Sequence, residues 1–172
     1  GATNTFRVLG KKAGVSVLCL DIFKGWLAVN YVLLLSDPLI LSQDNFDIYF
    51  ETKLVFGISA VIGHLFPIYT GFRGGKGIAT MLGLLIGIHS IASLYAFVVF
   101  IIILLLSRYV SLASILASIS FPIIVIILGS TNISLNLFAF FVPILSLITH
   151  QKNIERILRG EETKIIFGKK IN

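Results

Sequence analysis

The sequence predicts an all-α protein, a polytopic bundle of transmembrane helices. Three observations carry that expectation. Of the 172 residues, 56% are hydrophobic and only 13% charged, against roughly 45 to 50% and about 25% in soluble domains. The mean hydropathy is +0.98. The apolar residues also fall in runs of helix-spanning length rather than in short alternations. This composition excludes a disordered chain, a secreted disulfide scaffold and nearly any water-soluble enzyme. The single Cys19 has no partner for an internal disulfide.

The apolar runs cover residues 15–35, 54–70, 77–107, 110–129 and 135–149. As one helix, the third would extend about 46 Å, against a hydrocarbon core of about 30 Å. It is therefore expected to be two helices, 77–88 and 91–107, turning near His89 and Ser90. Six spans result. Charge then sets the orientation. Arg7, Lys11 and Lys12 precede the first span, Arg73 and Lys76 follow the second, Arg108 follows the fourth, and six further basic residues follow the sixth. Strict alternation puts all of these on one side, the cytoplasmic one by the positive-inside rule. The acidic loop 36–53 falls on the other side. Only Lys24, within a span, and Lys53, in that loop, depart from the pattern. The net charge of +6 thus reports orientation first. No internal repeat is evident, and residues 1–14 lack the apolar core of a secretory signal.

Most side chains capable of chemistry lie on the inferred cytoplasmic face. The clearest cluster is GHLFPIYTGFRGGKGIAT, residues 63–80. Gly74, Gly75 and Gly77 have no side chains to hold backbone amides away from a ligand, Lys76 adds a point charge, and the helix that follows presents its positive end. Together they describe an anion site suited to phosphate. A nucleotide loop does not fit, because Thr70 and Gly77 stand where that motif needs Gly and Ser or Thr. The plainer reading is a tight glycine-rich turn carrying positive-inside charge.

A second segment, THQKNIERILRGEETKI, residues 149–165, has Ile154, Ile157 and Leu158 at helical spacing with charges on the other face, as in an interfacial helix. His150 stands where it leaves the membrane, and its plainer reading is a hydrogen-bonded bystander. A third segment, GATNTFRVLGKK, sets Asn4 and Arg7 three residues apart on one helical face, or is simply a solvated basic terminus. Asp21 and Lys24 are also three apart and can neutralise each other within the first span. Ser111 and Ser114 lie one turn apart at the start of the fifth span, where hydroxyls also serve to cap and pack helices. His64, His89 and His150 have no metal-ligand spacing. Of Glu155, Glu161 and Glu162 near His150, none accompanies a nucleophile motif.

These segments together resemble one family, the bacterial integral-membrane glycerol-3-phosphate acyltransferases that use acyl phosphate as donor. GATNTFRVLGKKAG resembles the second half of that family's first cytoplasmic motif, GHLFPIYTGFRGGKGIAT its second and HQKNIERILRGEETKI its third; SRYVSLASI is also similar. The resemblance runs over residues 1–165, an expected membrane-embedded acyltransferase domain, with 166–172 as a basic cytoplasmic tail. Family members carry a further helix and a Gly-Ser-Gly-Asn run ahead of GATN, so the expectation is an N-terminally truncated member, with six of seven helices.

The resemblance implies transfer of a fatty acyl group from acyl phosphate to the 1-hydroxyl of glycerol 3-phosphate, giving lysophosphatidic acid and phosphate for phospholipid synthesis. It implies phosphate binding by Arg7, Lys76 and Asn153, an anion loop of Gly74, Gly75 and Gly77, and orientation of hydroxyl and carbonyl by Asn4, Ser111, Ser114 and His150. No cofactor and no metal is implied. The implied partners are acyl phosphate, glycerol 3-phosphate, the bilayer of the bacterial inner membrane and an acyl-phosphate-forming enzyme, with no nucleic acid among them. The alternatives are a small anion or phosphate transporter or channel filtered by the GGKG loop, a membrane scaffold with a lipid-binding basic tail, and an inactive truncated paralogue.

Overall fold

The computed structural model describes residues 1–35 and 46–165. These residues form seven helices: α1 Ala2–Leu35, α2 Phe46–Leu65, α3 Ile78–Ile88, α4 Ser90–Ser107, α5 Val110–Ile127, α6 Ile133–Thr149 and α7 Gln151–Leu158. The chain divides into two compact units, Gly1–Ser90 and Ile91–Asn172.

Each predicted apolar run is helical over most of its length, and the long run breaks at His89 (φ −147°, ψ 81°) as its length requires. Among the described residues four helices are long and apolar enough to cross a membrane, or five if the bent pair α6 and α7 is one span. At 11 residues, α3 extends only about 16 Å, half a bilayer core. The six apolar helices are therefore all present, but only some match a full crossing. Their outer faces are apolar: Leu105 and Leu106 of α4 are 60% and 79% exposed. Surfaces of that kind are solvated by lipid, and the chain is a multi-pass membrane protein.

Two helix ends differ from the apolar runs for identifiable reasons. The second helix stops at Leu65 rather than Thr70, because Pro67 disfavours helical backbone before it; a short 3-10 turn, Ile68–Thr70, follows. It starts earlier than the run, at Phe46, where buried Phe50 and Leu54, one turn apart, extend the packed stripe through charged neighbours. In α1 the backbone leaves helical geometry at Gly10 (φ 83°, ψ −176°). The short piece before it turns so that the Phe6 ring lies over Gly14.

In the first unit α1 packs against α2 and α3, and α2 against α3. The buried stripe of α1 is Asp21, Gly25, Val29 and Val32, at helical spacing. Lipid is as apolar as leucine, so this packing depends on close approach and dispersion rather than on escape from water. Gly25 lies against the Thr80 carbonyl, and Gly83 against the Ile22 carbonyl. Gly83 and Gly87 form a small-residue face on α3; Val29 and Leu84, both wholly buried, fill the contact between glycines. In the second unit α5 packs on α6, and α7 on both. A bend of 62° separates α6 from α7. The acidic loop residues Asp37 and Asp44 and the tail residues Lys169 and Lys170 lie outside the described residues.

Candidate active site

Residues 66–77 return from α2 to α3. Gly77 (φ 77°) is the N-cap of α3 and has the left-handed backbone that glycine adopts without strain. Gly74 N–H donates to the Leu65 carbonyl (3.1 Å) and Gly75 N–H to the His64 carbonyl (3.2 Å). Through these bonds the two glycines let the segment close onto the last carbonyls of α2, which would otherwise be orphaned. A Cβ on Gly74 would collide with the His64 carbonyl, and one on Gly75 with the His64 ring. Beyond them come the Gly77 cap and the first turn of α3, whose N–H groups have no partner within the helix, with exposed Lys76 beside them.

The amino-terminal piece comes to the same loop, since a Cβ on Gly1 would lie 3.6 Å from the Gly75 Cα. Asn4 and Arg7 are both exposed on that piece, in helical register. The expected Asp21 and Lys24 pair is present, with Lys24 Nζ 2.6 Å from Asp21 Oδ1. Lys24 Nζ also lies 2.6 Å from His64 Nδ1, a partner that sequence spacing did not suggest across forty residues.

The second unit gathers the other candidates. Ser111, Ser114, His150 and Asn153 are all buried. His150 occupies the bend between α6 and α7, and its Nδ1 is 2.9 Å from the Ser146 carbonyl. A carbonyl only accepts, so Nδ1 carries the proton and the neutral ring has its lone pair on Nε2. Ser114 donates to the Val110 carbonyl at 2.9 Å, a helix-internal bond, so its hydroxyl proton is already engaged.

Ser111 and Asn153 converge instead on a residue the sequence reading passed over. Glu162 Oε1 accepts from Ser111 Oγ and from Asn153 Nδ2, each at 2.7 Å, and Oε2 accepts from Arg156 Nε at 2.8 Å. Burial alone would raise the Glu162 carboxyl. The bonds from Asn153, Ser111 and Arg156, with the Arg156 charge, outweigh it and hold the carboxyl below the usual glutamate value. Glu162 reaches this position because α7 ends in a glycine turn. Gly160 (φ 72°) donates to the Ile157 carbonyl and Glu161 N–H to the Arg156 carbonyl, the paired bonds of a Schellman ending. Beyond it Ile165 N–H donates to the Arg108 carbonyl at 2.8 Å, and Lys164 Nζ lies over the Tyr109 ring, tying residues 161–165 back to the start of α5.

Similarity to known proteins agrees with the sequence motifs. A family model described as glycerol-3-phosphate acyltransferase matches residues 1–160. A glycerol-3-phosphate acyltransferase of Staphylococcus saprophyticus is 41% identical, over 96% of this chain and 79% of the relative. One from Staphylococcus aureus strain Newman is 42% identical over the same shares. Crystal structures of PlsY, an integral membrane glycerol 3-phosphate acyltransferase, superpose with TM-scores of 0.81 in its lysophosphatidic acid form and 0.82 in its glycerol 3-phosphate form. Both are 35% identical and cover 96% of this chain, and 79% and 78% of theirs. This chain belongs to the glycerol-3-phosphate acyltransferase family.

Proposed function

We propose that this chain transfers a fatty acyl group from an acyl phosphate to the 1-hydroxyl of sn-glycerol 3-phosphate, releasing inorganic phosphate and lysophosphatidic acid in the first acylation of phospholipid synthesis. The observation that carries the reading is the start of α3, where Gly77, the first-turn amides and Lys76 make a positive helix end, close to the segment bearing Asn4 and Arg7. Both substrates are phosphates, so such a site is needed twice. Arg7, Lys76 and Asn153 serve phosphate binding. Gly74 and Gly75 close the loop that Gly77 caps. Asn4, Ser111, Ser114 and His150 orient the attacking hydroxyl and the carbonyl.

In the reaction the hydroxyl oxygen bonds to the acyl carbon, the carbon–oxygen bond to phosphate breaks, and phosphate leaves with the electron pair. A phosphate oxygen takes the hydroxyl proton. An acyl phosphate is already activated, so positioning and charge stabilisation supply most of the acceleration, and a strong protein base is not required. The acyl chain stays against apolar helix faces. In this reading the motifs and the carboxyl terminus, including the basic tail 166–172, face the cytoplasm across a bacterial inner membrane. An acyl-phosphate-forming enzyme supplies the donor.

Lys76→Ala tests the reading. We expect loss of acyl transfer by about tenfold or more, as for removal of a charge-assisted phosphate contact, with unchanged membrane insertion. Normal transfer by the variant would contradict it.

A further inference from the structure

Thr80 is the third residue of α3 and is wholly buried, yet among the described residues neither its hydroxyl nor its amide has a hydrogen-bond partner. The first backbone bond of α3 runs from Met81 N–H to the Gly77 carbonyl at 2.7 Å, so Thr80 N–H is one of the donors a helix start leaves open. A helical threonine ordinarily returns its hydroxyl to a carbonyl three or four residues back. Thr80 Oγ1 makes neither bond. Nor does it reach Asp21, one turn before Gly25 on α1, whose Oδ1 holds Lys24 at 2.6 Å instead. The Thr80 carbonyl lies against Gly25, so the residue is sealed beneath α1 with two donors unspent. A buried donor left unmade is costly and calls for an acceptor.

Helical side chains tilt toward the helix N-terminus, so the Thr80 hydroxyl stands over the same first turn as the open amides of Ile78, Ala79 and Thr80. All of these groups can donate, and they lie at the positive end of α3. One anion with several oxygens satisfies them together. We propose that Thr80 is a further phosphate-binding residue, its hydroxyl and amide donating to the substrate phosphate received at the start of α3. The proposal rests on the reading that this helix end takes phosphate, and it adds a side chain to that site from inside the packed face of α3. The ligand chemistry is a phosphate monoester or acyl phosphate anion, and the kinetics distinguish the two sources.

The test combines melting temperatures of the ligand-free full chain in detergent with KM values for glycerol 3-phosphate and for an acyl phosphate. Thr80→Val keeps the shape of the side chain and removes the hydroxyl. It melts at or above the parent temperature without substrate, because the group it lacks had no partner there. It raises KM for one of the two substrates about tenfold, with kcat within about twofold, and the substrate affected identifies the phosphate bound. Thr80→Ser restores the hydroxyl and keeps KM within about threefold of the parent. A ligand-free Thr80→Val that melts below the parent, unchanged KM values in it, or a Thr80→Ser variant no better than Thr80→Val each overturns the proposal. Lys76→Ala separates the two levels. If it leaves both KM values unchanged, the phosphate reading of the α3 start fails; if it raises one while Thr80→Val raises neither, only the role of Thr80 fails.

Discussion

Ser111 Oγ donates to Glu162 Oε1 across 2.7 Å, joining residues fifty-one apart in the chain. The same oxygen holds Asn153, so one carboxylate fixes a serine at the start of α5 and an asparagine on α7. Neither side chain can turn without leaving the other's anchor changed. Glu162→Ala removes the shared acceptor and leaves buried Ser111 and Asn153 without it. We expect a loss of about 1–3 kcal/mol in stability, read as a lower melting temperature in detergent. Acyl transfer should fall further than in Arg156→Ala, which removes only the outer, half-exposed partner.

The Glu162 carboxyl, held below its ordinary value, makes stability depend on pH with a definite sign. A group with a depressed folded-state pKa stabilises fully above the unfolded value and loses that contribution as pH falls through the folded value. Melting temperature should therefore drop as pH falls below the ordinary glutamate range. Glu162→Gln, which has no such titration, should show a shallower acid-side loss. Parallel acid-side curves for the two proteins would contradict this.

Glycine positions in and near the GGKG segment should separate by what a Cβ meets. Gly74→Ala drives a methyl into the His64 backbone carbonyl, whereas Gly63 has open space around it. Gly74→Ala is expected to reduce acyl transfer at least about tenfold and to raise KM for a phosphate substrate, because the loop must shift. Gly63→Ala should stay within about twofold of the parent, as exposed substitutions away from packed features do. Steady-state kinetics on both variants checks the contrast.

Gly25 and Gly83 should be equally intolerant for a different reason. Each faces a backbone carbonyl of the opposing helix, Thr80 for Gly25 and Ile22 for Gly83. Alanine at either position pushes α1 and α3 apart, an overpacking cost of about 1–3 kcal/mol. Thermal melts should place both variants below the parent.

Much of this architecture was legible in the sequence because membrane thickness and helix rise leave few choices. The break at His89 followed from a run too long for one crossing, and the pairing of Asp21 with Lys24 followed from helical spacing. The early end of α2 before Pro67 is local chemistry that an apolar-run count does not weigh. The anchor role of Glu162 was not legible. It depends on a glycine turn that reverses the chain after α7, and no periodicity relates residue 162 to Ser111 or Asn153. His64 was set aside for lacking metal-ligand spacing, yet its partners Lys24 and Asp21 arrive through the packing of α1 on α2. The direction of the Gly74 and Gly75 amides was likewise a tertiary matter, decided by the carbonyls that α2 leaves unpaired.

The most direct test of the central claim is a donor comparison with the full chain in membranes and radiolabelled glycerol 3-phosphate. With an acyl phosphate, lysophosphatidic acid and inorganic phosphate should form in equal amounts, and with acyl-CoA alone neither should form. Lysophosphatidic acid formed from acyl-CoA alone, or no product from acyl phosphate, would contradict the account.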